Sequence, residues 1–342
     1  MGLQKYSSLR ESARPSLESL LPLPFPLSIY IETTNRCIFR CRYCPMSLPG
    51  YAQTVGGFRT MTLAEFIKIA QDIKSGGLLK VLRFYFMGEP LLNPELPKMI
   101  KTACKMNLAQ RTELTSNGVL LDTEKSVALV NSGLDYLRIS ISSVDPVRHG
   151  QVTQTSVSVE EIFDNIRSFR NTRDKMGSVK PFLYVKLLDP LNQAETQRFL
   201  EMYGSVADET AIEKPMNWNN YEKRNLIEAT YGSDVSAERN DLYPYPKEVC
   251  PFPFYTLMVN VNGDVTTCCV DWNKATRVGN VFESGLKSIW NGEQLRNLRQ
   301  IHITRRRVLN PSCGNCTFLY TVPDNLDNMS ESTIHAVLGN GG

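Results

Sequence analysis

"LSIYIETTNRCIFRCRYCP" (residues 27–45) joins a strand signal to a cluster of thiols, and the fold is read outward from it. Residues 27–34 are rich in β-branched and aromatic types, as a strand requires. Cys37, Cys41 and Cys44 follow in the spacing C-x3-C-x2-C, with Arg36, Arg40 and Arg42 among them. Thiols at that density mean a disulfide knot, a metal site or a redox couple. The chain has nine cysteines, an odd number. Its polar start "MGLQKYSSLRESARPS" is no secretory leader. "LESLLPLPFPLSIYI" (17–31) is too short to span a membrane and is broken by Pro22, Pro24 and Pro26. The expected location is cytoplasmic, where disulfides rarely persist, so metal ligation is the better reading. Cys104, alone in "MIKTACKM", reads as a small buried hydrophobe on a helix.

At 342 residues the chain suffices for one large domain and a smaller one. A hydrophobic content of 42% is ordinary for a soluble globular protein, and a net charge of +3 offers no basic stretch for nucleic acid or a membrane surface. Beyond the quoted stretch, strand candidates at 79–87, 111–117, 136–142, 182–188 and 210–216 alternate with amphipathic segments such as "TLAEFIKIAQDIKSG" and "VEEIFDNIRSFRNTR". Such β–α alternation implies a parallel sheet with helices outside, in an open doubly wound sheet or a partial barrel. Periodicity alone does not choose between them. The polar segment 217–249 reads as a linker or covering loop. A second unit, 250–320, opens with "FYTLMVNVNGDVTTCCV", a hairpin turning at Asn262-Gly263. Residues 1–27 form an N-terminal extension, 28–216 the main domain, and 321–342 a peripheral tail.

The thiol triplet sits just past the end of the first strand, the edge where α/β proteins place their chemistry. Zinc prefers four ligands and paired C-x2-C knuckles. Three local thiolates suit a cubane iron–sulfur cluster with one iron open to a non-protein ligand. With that, the sequence resembles the radical SAM superfamily. The resemblance implies a partial (β/α)6 TIM-type barrel and a [4Fe–4S] cluster on Cys37, Cys41 and Cys44. It implies S-adenosylmethionine on the open iron, a 5′-deoxyadenosyl radical, and a reductant such as flavodoxin or ferredoxin. Tyr43 matches an aromatic that packs on adenine. "FMGEP" (86–90) stands where the family carries Gly-Gly-Glu-Pro, so Met87, Gly88 and Glu89 would hold the methionyl amino group, with Met87 a departure from glycine. Asn117 in "TSNG" and Ser140 in "SIS" resemble the polar strand ends that touch the cofactor. Arg148 is a loose match to a downstream arginine.

Cys250-x12-Gly263-x4-Cys268, followed by Cys313-x2-Cys316, resembles the SPASM or twitch extension of this superfamily. No cysteine follows Cys316, so the resemblance implies one auxiliary [4Fe–4S] cluster on Cys250, Cys268, Cys313 and Cys316. Cys269 is the spare, expected on the opposite face by strand alternation. Taken alone, these four cysteines would serve a structural zinc equally well. A cluster with no open iron suits electron transfer, as in the twitch-bearing 2-deoxy-scyllo-inosamine dehydrogenase. The leading expectation is therefore an oxidoreductase acting on a sugar or aminocyclitol. Lys186, Asp189, Lys214 and Asp271 are candidates for substrate contact or proton acceptance, with Trp272 beside the last of these. Radical modification of a ribosomal peptide is the competing expectation, although the 36 residues before Cys37 are too few for a leader-binding winged helix. A non-catalytic iron–sulfur carrier is the different-class alternative and would leave "MGEP" and "TSNG" as coincidence.

Overall fold

The structure is a computed structural model, and residues 4–5, 7, 14–214 and 247–339 are described. Six strands, with helices in the five connections between them, build the main domain: β1 Ser28–Ile31, β2 Leu79–Arg83, β3 Ala109–Ser116, β4 Tyr136–Ile141, β5 Phe182–Leu188 and β6 Glu209–Glu213. Counting only helices longer than one turn, α1 is Leu63–Gly76, α2 Leu96–Lys105, α3 Thr123–Val130, α4 Pro146–Thr153, α5 Val159–Lys175 and α6 Gln193–Tyr203. Local chemistry starts these helices where it should. Thr62 and Glu65 form a reciprocal capping box on α1, and Asp122, Asp145, Ser158 and Asn192 cap the four helices from α3 to α6. Phe66, Ile69, Ala70 and Ile73 then put the apolar stripe of α1 fully inside, each large side chain contributing about 1.5–3 kcal/mol of burial.

The sheet has nine strands in the order β6-β5-β4-β3-β2-β1-β7-β8-β9, with β7 Thr256–Val259, β8 Asp264–Thr266 and β9 Gly279–Asn280. Every pairing from β6 to β7 is parallel. The main domain is the partial barrel expected from the resemblance. The second unit continues the same sheet: β7 lies parallel to β1 with Ile29 opposite Leu257. The expected hairpin is there as β7–β8, and Gly263 takes φ +88° at its turn. The unit is completed by α7 Leu286–Trp290 and α8 Glu293–Ile303.

The tail packs against the N-terminal extension and the second unit. Leu326, Met329 and Val337, the last on α9 (Glu331–Leu338), share an apolar cluster with Leu17, Val249 and Phe254. Arg14 pairs with Asp324 at 2.8 Å, and Trp290 Nε1 donates to the Leu23 carbonyl. The N-terminal extension and the tail thus hold each other against the second unit. Residues 217–246 of the expected covering segment lie outside the described residues. Among the described residues no helix is long and apolar enough to cross a membrane.

Candidate active site and auxiliary cluster site

The loop that carries the first thiols is fixed on both flanks. Asn35 donates to the Gly57 carbonyl and accepts from Arg59 N. On the other side Arg40 N and Arg42 N donate to the carbonyls of Thr153 and Val152, at the end of α4. Cys44 N closes a turn onto the Cys41 carbonyl at 2.8 Å. Cys37, Cys41 and Cys44 are thereby brought near enough to act on one another electrostatically. Burial pushes the Cys37 thiol up to about 12, helped by Glu89, and the Cys44 thiol up to about 11. Burial first, then the neighbouring thiols, raises Cys41 as well. Buried thiolates crowded together are unfavourable alone, and a cationic metal group reverses that balance.

The end of β2 folds back on this loop. Glu89 N donates to the Arg36 carbonyl at 2.7 Å. Gly88 has φ +80°, and a Cβ there would lie 2.5 Å from the Thr34 carbonyl oxygen and 2.7 Å from that of Arg36. No other residue fits. Met87 packs with Met46, Tyr51 and Trp272 in an apolar wall that also touches Cys37 and Cys44. Glu89 is buried and accepts from Ser116 Oγ, Leu91 N and Asn117 N, tying the ends of β2 and β3 together. A carboxylate takes about four hydrogen bonds, so one position remains for a ligand. Tyr43 Oη and Ser142 Oγ lie 2.7 Å apart, which ties the thiol loop to the end of β4.

Asn117 and Ser140 line one small cavity with Phe39, Ser142, His149 and Tyr203. Asn117 Oδ1 accepts from Val119 N, while its Nδ2 is buried without a partner among the described residues. That donor needs an acceptor beyond them. Arg148 donates to the Pro190 carbonyl and to Glu195, so it secures α4 to α6.

Inside the barrel, side chains from alternate strand positions meet. Arg83 and Arg111 both pair with Glu113, which is fully buried. Burial pushes that carboxyl up, but Arg83, Arg111 and Arg138 outweigh it and hold it below the usual range. Nearer the open edge, Arg138 reaches Tyr85 Oη at 2.9 Å and Glu213 at 3.5 Å, and Lys186 pairs with the same Glu213. Lys186 stands opposite Ser140 in the sheet. Asp189 caps its own turn at Leu191 N, and Lys214 is exposed just past β6.

The second thiol group surrounds a cavity lined by Cys250, Cys268, Cys313 and Cys316, with Thr267, Asp271, His302 and Arg307. Arg307 Nη1 donates to the carbonyls of Cys313 and Cys316 and so braces the C-x2-C turn. Cys269 does not line the cavity; its side chain hydrogen-bonds that of Cys268 and lies near Tyr30 and Tyr255. The alternation argument does not reach it, because β8 ends at Thr266 and both cysteines lie in the following loop. Asp271 needs correction as a candidate for the barrel edge. It is buried at the auxiliary cavity, where it accepts from Ala275 N, Thr276 N, Thr276 Oγ1 and Ser312 Oγ. Cys104 lies on α2 with its thiol toward the Gly133 carbonyl.

Sequence reasoning missed Glu32, Arg138, Glu213 and His302. Arg138 and Glu213 sit on strands, where alternation marks an inward face but not what it meets, and Glu32 lies just past the end of β1. His302 follows Leu295 and Leu298 on the inward stripe of α8, and a histidine in that register was the available signal. Among the described residues no three His, Cys, Asp or Glu side chains close on one point as a single ion needs. Cys250, Cys268, Cys313 and Cys316 line one cavity, and in a cluster each thiolate binds a different iron.

Residues 31–180 match the model of the Radical SAM superfamily, and residues 250–317 match that of an iron-sulfur cluster-binding domain, SPASM. The chain belongs to the radical SAM superfamily. As such it is an enzyme that uses S-adenosylmethionine and [4Fe–4S] clusters. It is 31% identical over 234 residues to GTP 3′,8-cyclase of Aquifex aeolicus, covering 65% of this chain and 68% of that one. It is 25% identical to the tungsten-containing aldehyde ferredoxin oxidoreductase cofactor-modifying protein of Pyrococcus furiosus, covering 84% of this chain and 86% of the relative. It spans only 32% of the PqqA peptide cyclase of Gluconobacter oxydans. Among solved structures, BtrN in complex with AdoMet and 2-DOIA matches 90% of this chain and 97% of its own, at 17% identity and TM-score 0.54. Streptococcus suis SuiB bound to its precursor peptide SuiA matches 90% of this chain and 72% of its own, at 15% identity and TM-score 0.61. At these identities the structures speak for the fold.

Proposed function

We propose that this radical SAM enzyme dehydrogenates a hydroxyl-rich small molecule, a sugar or aminocyclitol. Cys37, Cys41 and Cys44 would hold the cluster that takes S-adenosylmethionine, and Cys250, Cys268, Cys313 and Cys316 the auxiliary one. When bound, these groups supply reductive cleavage to a 5′-deoxyadenosyl radical, hydrogen-atom abstraction from substrate, and an acceptor for the electron that the substrate gives up. Gly88, Glu89, Asn117 and Ser140 would seat the cofactor, and Tyr43 would wall it on the thiol side.

The observation that carries the reading is the row of Lys186, Glu213 and Arg138 beside Ser140. It presents fixed charges of both signs with the Tyr85 hydroxyl, which a polyol or amino alcohol satisfies with its own donors and acceptors. An apolar side chain placed there would strip water from those charges and return nothing. Making a carbonyl from an alcohol also requires a proton acceptor. Glu213 is the carboxylate placed for it, held by Lys186 and Arg138, with Asp189 and Lys214 at the same edge. The likeness to BtrN, solved with 2-DOIA, is in keeping with this substrate class.

Anaerobic turnover with deuterated sugars, aminocyclitols and peptides tests the proposal. Deuterium from an alcohol carbon is expected in 5′-deoxyadenosine. Transfer from a peptide alone, as SuiB's complex with a precursor peptide would suggest, overturns it.

A further inference from the structure

The auxiliary cavity contains a polar group that the described residues do not satisfy. His302 is 1% exposed, on the inward stripe of α8. Its Nδ1 accepts the backbone N–H of Cys250 at 3.4 Å. A nitrogen that accepts carries no proton, so the neutral ring has its proton on Nε2. That Nε2 is buried with no hydrogen-bond partner among the described residues, in a side chain lining the same cavity as Cys250, Cys268, Cys313 and Cys316. A buried donor left unpaired costs about 1–3 kcal/mol. Whatever occupies the cavity is therefore what satisfies it.

We infer that His302 donates its Nε2–H to a sulfur of the auxiliary cluster and holds that cluster at a higher reduction potential than its four thiolates alone would set. The inference rests on the assignment of Cys250, Cys268, Cys313 and Cys316 made above. On reduction a cluster gains one electron, and part of the added charge falls on sulfur. An N–H directed at that sulfur stabilises the reduced form more than the oxidised one. No proton is transferred, and Nε2 keeps its hydrogen in both states. The Nδ1 contact to Cys250 N gives the donor its direction by fixing both tautomer and ring plane. His302 is thus a positioning residue, tuning the cluster for its part as electron acceptor.

The test is a potentiometric titration of the full-length protein under nitrogen, with both clusters loaded and each followed by electron paramagnetic resonance. His302→Leu removes the donor, and His302→Gln keeps an N–H near the place of Nε2. At the potential that half-reduces the native auxiliary cluster, His302→Leu is expected to lower its reduced-to-oxidised ratio about tenfold, equivalent to about 59 mV for one electron. His302→Gln should stay close to native, and the other cluster should not shift in either variant. An unshifted auxiliary potential in a loaded His302→Leu overturns the inference. Should that variant fail to load, double resonance on reduced native protein carrying 15N-histidine decides: a nitrogen coupling lost in His302→Gln supports the contact, and its absence overturns it. Iron content keeps the two readings apart. About four irons in the native chain would remove the cysteine assignment itself, whereas about eight with an unshifted potential removes only the part given to His302.

Discussion

Asp271 and Trp272 are adjacent in sequence and face different sites. The Asp271 carboxylate is locked among Thr276, Ala275 and Ser312 at the auxiliary cavity. The Trp272 ring packs on Tyr51 at 5.7 Å, in the wall that Met87 shares with Cys37 and Cys44. One peptide unit therefore couples the two cysteine-lined sites through rigid packing.

Trp272→Ala should open a hole in that wall. The ring is 3% exposed, and truncation of a buried aromatic of this size costs about 3–5 kcal/mol. Urea unfolding under nitrogen is expected to show the loss. Formation of 5′-deoxyadenosine should fall with it, while the auxiliary iron stays bound. Unchanged stability would mean that the ring does not brace the thiol loop.

Asp271→Ala should act on the other side. It leaves the N–H groups of Ala275 and Thr276 and the hydroxyl of Thr276 without their buried acceptor, and it takes one of two acceptors from the Ser312 hydroxyl, which keeps Asn273 Oδ1. Each unmade bond costs about 1–3 kcal/mol. Ser312 precedes Cys313, so the C-x2-C turn loosens first. Iron content should drop from about eight toward about four per chain. Cleavage of S-adenosylmethionine without substrate should continue. Full iron retention would show that Arg307 and Asn310 hold the turn without Asp271.

Gly88→Ala isolates the cofactor cradle. Its Cβ would meet two carbonyl oxygens at 2.5 and 2.7 Å, in a φ that L-residues rarely adopt. The β2 end must then lift from the thiol loop. Weaker binding of S-adenosylmethionine by about tenfold or more is expected in equilibrium titration, about 1.4 kcal/mol at least. The auxiliary iron should be unaffected. Binding at native strength would show that this backbone approach is not part of the cofactor site.

Much of this was legible in the chain because the signals are local. The α1 and α5 patterns carry their own caps, and C-x3-C-x2-C lies within one loop. What escaped depends on partners distant in sequence. Nothing in "STIHAVL" says that Val337 will share a cluster with Leu17, because that pairing exists only once the second unit has brought both ends together. The helix Pro146–Thr153 escaped because its polar residues mask a short periodicity, although Asp145 and Pro146 were a proper start signal. Arg138 and Glu213 were visible as strand residues, but their meeting depends on how β4, β5 and β6 are staggered. The split between Asp271 and Trp272 is of the same kind, set by a turn rather than by a period.

Glu32 gives the molecule a pH dependence of a sign opposite to the usual carboxylate. It is 3% exposed at the end of β1, and accepts from Val261 N at 2.9 Å. Burial lifts its carboxyl from the usual 4.5 to about 7, against the lowering effects of that hydrogen bond and of Lys274. A carboxyl whose pKa is raised in the fold binds its proton more tightly folded than unfolded. Its contribution is therefore complete below about pH 4.5 and is lost as pH rises through about 7. Between about pH 6 and pH 8 the native protein should lose about 1–2 kcal/mol from this group. Glu32→Gln keeps an oxygen for Val261 N and has nothing to ionise. Its stability advantage over native should widen across that interval in urea unfolding under nitrogen. A constant difference between the two proteins would show that Glu32 is ionised throughout and that Lys274 outweighs its burial.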